Sequence, residues 1–318
     1  MIKISVIVAV YQVERFIRKC LNSLQNQTFS DFEVLLIDDG SKDLSGIICD
    51  EYAAQDSRFR VIHKKNGGVS SARQVGLDHA IGEYIIHVDP DDWVEKDMLE
   101  NLYNEAKANN SDMVVCDYLQ ECNGKTSYMK QIPSMDGAKS YFYDMIYRLH
   151  GSCWNKLVRK SCFSKYNISF SQDMVMWEDQ FVILKLAEQP IKITYLPKAF
   201  YHYDESTNSN SAVRSWSRKK LESQKTVINW LEQKTDSIVK NEIINLKKDA
   251  KRTAFFVKEI NTKEFRSLYP EINSCYKFKI KEIGHFEFFM YLAIHVSLNL
   301  ARHLNAIKEN FKNKISTI

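Results

Sequence analysis

Three carboxylates stand within four residues at Asp89, Asp91 and Asp92. At that density they repel one another unless solvent or a cation compensates. Their oxygens suit Mg2+ or Mn2+, which take few carboxylates and complete their shell with water and substrate phosphates. A metal held there would offset the charge of a departing nucleotide diphosphate. The same residues also suit a solvated turn in which an Asp caps a helix over Trp93–Leu102. A second cluster, Asp38-Asp39-Gly40-Ser41, offers a carboxylate to a base or ribose, or else is a turn in which Ser41 or Asp43 caps the next helix. Gly67-Gly68-Val69-Ser70-Ser71-Ala72-Arg73 runs into a helix whose first N–H groups attract anions, and Arg73 there can clamp a phosphate or stay a surface charge. It lacks the Gly-Lys-Ser/Thr ending of a P-loop. Trp177-Glu178-Asp179 opens a predicted helix, where a carboxylate can act as general base or simply cap. Of eight histidines, His202 in Tyr201-His202-Tyr203 is the candidate extra metal ligand, with a structural histidine as the alternative.

The elements that must position these groups alternate. Ile2–Val10 is a short apolar run rich in β-branched residues, as a buried parallel strand requires. Strand patterns recur at Phe32–Ile37, Arg60–His63, Tyr84–Val88 and Met113–Tyr118. Between them, helical spacing covers Glu14–Leu24, Leu44–Ala54, Ser70–Ala80 and Glu95–Ala108. Repeated βα units imply an α/β fold with a mostly parallel sheet, helices on its faces and right-handed crossovers. Ligands then bind at the carboxyl ends of the strands, where Tyr11, Asp38–Ser41 and Asp89–Asp92 all fall. From about 136 to 205 the pattern is less regular, with helices predicted over Gly137–Tyr147 and Asp179–Leu186 and short strands over Lys192–Tyr195 and Ala199–Tyr203. Beyond 214 the chain reads as helix.

Composition narrows the class. With 318 residues, 44% hydrophobic and 12% aromatic, and only 10 Gly and 5 Pro, the chain is built to pack, which excludes disordered and collagen-like classes. Seven cysteines without a C-x-x-C spacing argue against a zinc ribbon or disulfide scaffold and for a reduced, cytoplasmic setting. The first ten residues are too short and interrupted for a signal peptide, and no apolar run approaches the roughly 18 residues of a spanning helix. The protein is expected to be soluble or peripheral. Net charge is +4, yet residues 214–318 carry 21 Lys and Arg against 11 Asp and Glu, while residues 1–213 are net acidic. This basic tail holds an expected helix at 286–304 with Phe286, Phe289, Ala293, Val296, Leu300 and Leu304 in one stripe, opposite Glu287, His295 and Arg302. The stripe suits packing on its own protein, peripheral contact with an anionic membrane surface, or, by near-heptad spacing, a homodimer. No nucleic-acid-binding motif accompanies the basic charge.

The order of the pieces is more specific than any one of them. Ser5–Gln12, Gln27–Val34, Ile37-Asp38-Asp39-Gly40-Ser41, Asn66–Arg73, Gly82-Glu83-Tyr84 and Val88–Trp93 together resemble the family 2 nucleotide-diphospho-sugar glycosyltransferases, in the branch that builds bacterial capsular and exopolysaccharides. The resemblance is dense over 1–118, continues through Cys153–Leu157, Trp177–Asp179 and Tyr201–Tyr203, and ends near 210. It implies a GT-A type fold over 1–213, with 1–118 the nucleotide-sugar half, 119–213 the acceptor half, and 214–318 a basic helical extension. It implies inverting, metal-dependent transfer from a nucleotide-diphospho-sugar, a UDP-sugar by expectation, to a saccharide or polyprenyl-linked acceptor at the inner face of the plasma membrane. By the same resemblance Asp39 binds the base, with Asp38, Ala9, Tyr11 and Glu14 near the nucleotide and Arg73 near base or phosphate. Asp89 and Asp91 hold ribose and Mn2+ or Mg2+, with Asp92 sharing the metal. Asp179 is the base, and Trp154, Asn155, Lys156 and Glu178 line the acceptor side. Ala9 stands where Pro is usual in the family, Gln12 and Gln74 where Asn is, Pro90 where Ser is, and Asp204 where Arg is common.

Other classes fit less well. A sugar-nucleotide pyrophosphorylase would need a glycine-rich first loop, and Tyr11-Gln12-Val13-Glu14 has none. An Asp-x-Asp phosphatase would want Thr or Val after the acidic pair, where Trp93 follows Asp92. A degenerate subunit that binds a partner through the helical tail would have no use for Asp39, Asp89, Asp91 and Asp179 together.

Overall fold

In a computed structural model the described residues are 1–134, 138–205, 216–235, 239–279, 281, 283 and 285–315. The chain divides into two compact units, Met1–Ser211 and Ala212–Ile318. The expected boundary at 213/214 and the expected helix start at Gly137 lie outside the described residues.

The first unit opens with the expected alternation. Strands β1 (Ile4–Val10), β2 (Phe32–Asp38), β3 (Phe59–His63) and β4 (Tyr84–His87) are joined by helices α1 (Ile17–Gln25), α2 (Ser45–Gln55) and α3 (Val69–His79). They pair in parallel in the order β3-β2-β1-β4. There follow β5 (Trp93–Val94), α4 (Met98–Asn109), β6 (Met113–Cys122), β7 (Lys125–Met129), α5 (Ala138–Tyr147), β8 (Lys156–Arg159), α6 (Ser161–Lys165), α7 (Glu178–Ala187) and β9 (Ile193–Asp204). Together they complete one nine-stranded sheet, β3-β2-β1-β4-β8-β6-β9-β5, with β7 on β6.

The sheet is therefore mixed, where a mostly parallel one was expected. Strand β8 runs antiparallel to both β4 and β6, β7 is antiparallel to β6, and β5 to β9. These three strands are two to five residues long, too short to print a period of their own. Trp93 and Val94 pair with His202 and Tyr201 instead of opening a helix, so the helix expected from Trp93 begins at Met98. The two short strands expected at 192–203 are one strand. Its register against β6 slips between Leu196 and Ala199, where Pro197, lacking an N–H, cannot donate to the ladder.

Side-chain alternation assigns each face. Ile4, Val6, Val8 and Val10 join a buried cluster with Ile17 and Leu21 of α1, Ile48 of α2 and Leu99 of α4. Ile7 points the other way, towards α3. There a Cβ on Gly76 would come within 2.4 Å of Ile7 Cγ2, so only glycine lets α3 settle this closely on β1. That approach carries Arg73, one turn earlier, over the carboxyl ends of the strands.

In the second unit, α8 (Arg218–Lys234), α9 (Lys240–Phe256), α10 (Thr262–Ser267), a 3-10 helix at Pro270–Cys275, α11 (Phe286–His295) and α12 (Leu298–Ile315) follow one another. The single helix expected at 286–304 is two helices, broken at Val296-Ser297. Phe289 and Ala293 are buried, whereas Val296 and Leu300 are exposed, so the stripe is not one surface and the near-heptad argument for a homodimer falls with it. Arg302 instead donates to the carbonyls of Ala254, Phe255, Val257 and Ile260, at 2.6–3.1 Å, and satisfies the open end of α9. Among the described residues no helix is long and apolar enough to cross a membrane.

Candidate active site

Register sets the rim. Val10 lies beside Asp38 and Ile7 beside His87, so β1, β2 and β4 end on the same edge. After β4 the chain turns through Asp89-Pro90-Asp91-Asp92, closed by Asp92 N–H to the Asp89 carbonyl at 3.1 Å. Asp89 and Asp91 are only half-buried on this turn, whereas Asp92 turns inward. Its Oδ2 accepts the Tyr201 hydroxyl at 2.7 Å and its Oδ1 the Asp204 N–H at 2.8 Å. Burial, helped by the neighbouring Asp89 and Asp91 charges, pushes its pKa up to about 8. Tyr201 Oη in turn accepts the Asp89 N–H at 3.0 Å. Asp92 therefore pins the turn to β9, which corrects its expected share in the metal: both its oxygens serve this chain.

Arg73 is the hub. Its guanidinium, 6% exposed, donates to Asp89 Oδ1 at 3.0 Å and to Glu178 Oε1 at 2.6 Å, and lies 4.0 Å from Asp179 Oδ2. Burial works against the charge, but Asp89, Glu178 and Asp179 outweigh it and hold Arg73 firmly protonated. Glu178 is pushed up to about 7 by burial and by Asp179, with Arg73 opposing. Trp177, just before it, has φ +59°, a left-handed backbone that costs a bulky residue about 1–3 kcal/mol. The Ser70 hydroxyl donates to the Met174 carbonyl at 2.6 Å, a second tie between α3 and the approach to α7. Asp179, at 23% side-chain exposure, is the more open of the two acids.

At the β2 end, Asp39 is buried and accepts the Gly67 and Gly68 N–H groups at 2.9 and 2.7 Å, with Lys64 ion-paired to it. The carboxylate expected to meet a base thus first shapes the glycine loop that opens α3. Asp38 bonds Ser41 N–H at 3.0 Å and the His63 ring at 2.8 Å. Glu14 accepts the Leu44 N–H at 2.9 Å at the entrance to α2. Tyr11 is exposed on the rim and Ala9 half-buried below it.

Two expectations are corrected. Asn155 and Lys156 are buried and serve the fold: Asn155 donates to the Cys116 carbonyl at 2.9 Å, and Lys156 Nζ donates to His150 O, Ser152 O and Asn155 Oδ1 at 2.6–2.8 Å. Trp154, also buried, stacks on Tyr201 at 4.2 Å and on Tyr203 at 5.7 Å. None of the three presents its side chain to an acceptor. His202 is not a metal ligand either. Its Nδ1 faces Glu121 at 2.8 Å, its Nε2 faces Glu95 at 3.0 Å, and its ring stacks on Trp93.

Sequence reasoning missed Lys64 and Tyr201. Strand alternation was the available signal for Tyr201, since it places Tyr201 and Tyr203 on the face opposite His202. Nothing local marks Lys64.

Residues 5–167 match the profile of Glycosyl transferase family 2. The chain belongs to that family. EpsH of Bacillus subtilis (strain 168), whose name assigns it to the glycosyltransferases, is 35% identical over 227 residues, which cover 69% of this chain and 65% of that protein. The cholesterol galactosyltransferase of Borreliella burgdorferi is 32% identical over 234 residues, covering 69% of this chain and 65% of that one. The chain thus spans slightly less than two thirds of these relatives. Among solved structures, S. aureus TarS 1-349 in complex with UDP-GlcNAc superposes with a TM-score of 0.63 at 21% identity, covering 98% of this chain and 92% of that one. The fold is accordingly of the GT-A type that the family implies. Among the described residues no three His, Cys, Asp or Glu side chains gather to hold a metal by themselves.

Proposed function

We propose that the chain transfers a sugar, with inversion, from a nucleotide-diphosphate donor to a hydroxyl of a saccharide or polyprenyl-linked saccharide in surface polysaccharide synthesis. The observation that carries this reading is Arg73, which joins the Asp89 turn to Glu178 and Asp179. Donor and acceptor chemistry then meet around one fixed cation. A UDP-sugar is the favoured donor, in keeping with the TarS neighbour solved with UDP-GlcNAc.

In this scheme Asp179 takes the proton of the acceptor hydroxyl as its oxygen attacks the anomeric carbon. The new C–O bond forms as the bond to the diphosphate oxygen breaks, and the electron pair leaves with the nucleotide. Attack from the side opposite the leaving group inverts the centre. Arg73 stays charged through the step and holds Asp89 towards the donor. The lower exposure of Glu178 and its bond to Arg73 make it the positioning acid and leave the proton to Asp179. Asp89 and Asp91 would hold Mg2+ or Mn2+, which neutralises diphosphate charge when bound. Two half-buried carboxylates without a third side-chain ligand fit such an ion, whose remaining positions go to phosphate and water. The basic second unit favours a peripheral place on the cytoplasmic face of an anionic membrane.

Calorimetric titration with UDP, GDP and dTDP, each with Mn2+ and with EDTA, tests the donor site. Metal-dependent binding of UDP is expected. A folded sample that binds none of the three would overturn the reading.

A further inference from the structure

The second unit holds a cavity of about 250 Å3 walled by α9, the segment after the 3-10 helix, and the start of α11. Four cations reach it: Lys248 and Arg252 from α9, and Lys277 and Lys279 from the segment that follows Cys275. Two carboxylates, Asp249 and Glu287, share it, so the lining is net positive. Lys248, Arg252 and Lys277 make no salt bridge among the described residues, whereas Arg218, Lys225 and Lys247 of the same unit each have an acidic partner. Arg252 lies over the ring of Phe286, another lining residue, at 5.1 Å.

Exposed apolar residues lie in the same segment of chain as Lys277 and Lys279. Phe278, between Lys277 and Lys279, is 50% exposed, and Ile283 is 55% exposed. Phe278 packs one side of its ring on Phe288 and Tyr291 of α11, at 6.2 and 5.5 Å, and leaves the rest exposed. Alternating cations and outward apolar side chains around a positively charged recess suit a surface where phosphates sit directly above hydrocarbon. A soluble anion would need the cations but not Phe278 or Ile283.

We infer that this recess binds the phosphate of an anionic lipid, with Phe278 and Ile283 entering the membrane interface beside it. The inference rests on the peripheral-membrane reading above and gives it an address. Co-sedimentation of the full chain with vesicles of phosphatidylcholine, with and without phosphatidylglycerol, tests it. Binding only to the mixed vesicles is expected. Each basic residue removed should lower that affinity about fivefold, so Arg252→Gln with Lys277→Gln should weaken it about 25-fold. Phe278→Ser should weaken binding without changing its salt dependence. All variants should keep their thermal transition and their UDP binding.

Undiminished vesicle binding by the Arg252→Gln/Lys277→Gln variant would overturn the recess while leaving peripheral attachment standing. Absence of vesicle binding by the parent chain would overturn both, and UDP titration of the same sample reports separately on the transferase reading. Should inorganic pyrophosphate bind at these residues while the mixed vesicles do not, the ligand is a soluble anion and the proposal fails.

Discussion

Arg73 and Glu178 are 105 positions apart in the chain and joined by a 2.6 Å ion pair with both side chains under 10% exposed. The pair is possible because Gly76 lets α3 lie close on β1 and because the left-handed Trp177 immediately precedes the first residue of α7.

Breaking this pair from one side should be costly. Arg73→Met leaves Glu178 buried without its counter-charge, an expected loss of about 3–5 kcal/mol in folding stability. Adding Glu178→Met should recover much of it, because the stranded carboxylate is gone. Chemical denaturation of both single variants and the double variant measures the coupling. Simply additive losses would mean that the two side chains do not depend on each other.

The two acidic clusters should separate kinetically. Asp91→Asn is expected to abolish metal-dependent donor binding, seen by calorimetry. Asp179→Asn should leave donor affinity nearly intact while turnover falls about 10²–10⁴-fold, the range of general-base catalysis. An Asp179→Asn protein that no longer binds donor would remove Asp179 from the role of base.

Lys156 should behave as a fold residue. Its ammonium is held by three oxygens of residues 150–155, and burial lowers its pKa to about 8. Lys156→Met strands those acceptors and should cost about 1–3 kcal/mol. The apparent acceptor KM of the folded fraction should stay unchanged. A selective rise in acceptor KM at unaltered stability would return Lys156 to the acceptor side.

His63 predicts a pH dependence. Bonds to Asp38 and Asp50 raise its pKa above the ordinary histidine value. The folded state thus binds this proton more tightly than the unfolded chain does. The contribution is fully present below about pH 6.5 and fades as pH rises through the raised value. With the ring about half exposed, it should stay under about 1 kcal/mol. Denaturation midpoints of the parent and His63→Asn across about pH 5.5–8.5, from below the ordinary histidine value to well above it, should converge at the alkaline end. Parallel curves would show that the pair contributes nothing.

Much of the first half could be read from the chain itself. Strands β1, β2 and β4 are mostly apolar runs, fully or nearly fully buried and separated by helix-period segments, and a parallel sheet buried on both faces leaves that pattern. The acidic turns at the strand ends followed directly, because βα topology sends every strand terminus to one rim. Legibility declined after β4. Strands β5, β7 and β8 owe their existence to neighbours that lie far away in sequence, and the break at Val296-Ser297 falls inside a regular apolar stripe.

By itself the sequence determined that this is an α/β protein of Glycosyl transferase family 2, with Asp39, Asp89, Asp91 and Asp179 near strand or helix ends. Residue type and spacing are local properties, and the order of motifs survives in one dimension. Tertiary structure alone decided which polar side chains serve the fold. Asp92, His202, Asn155 and Lys156 look reactive on paper, yet their polar atoms are engaged by Tyr201, Glu95, Glu121, Cys116 and the loop at 150–155. A buried polar atom must be paired within the fold, and the partner that pairs it is set by packing between distant segments.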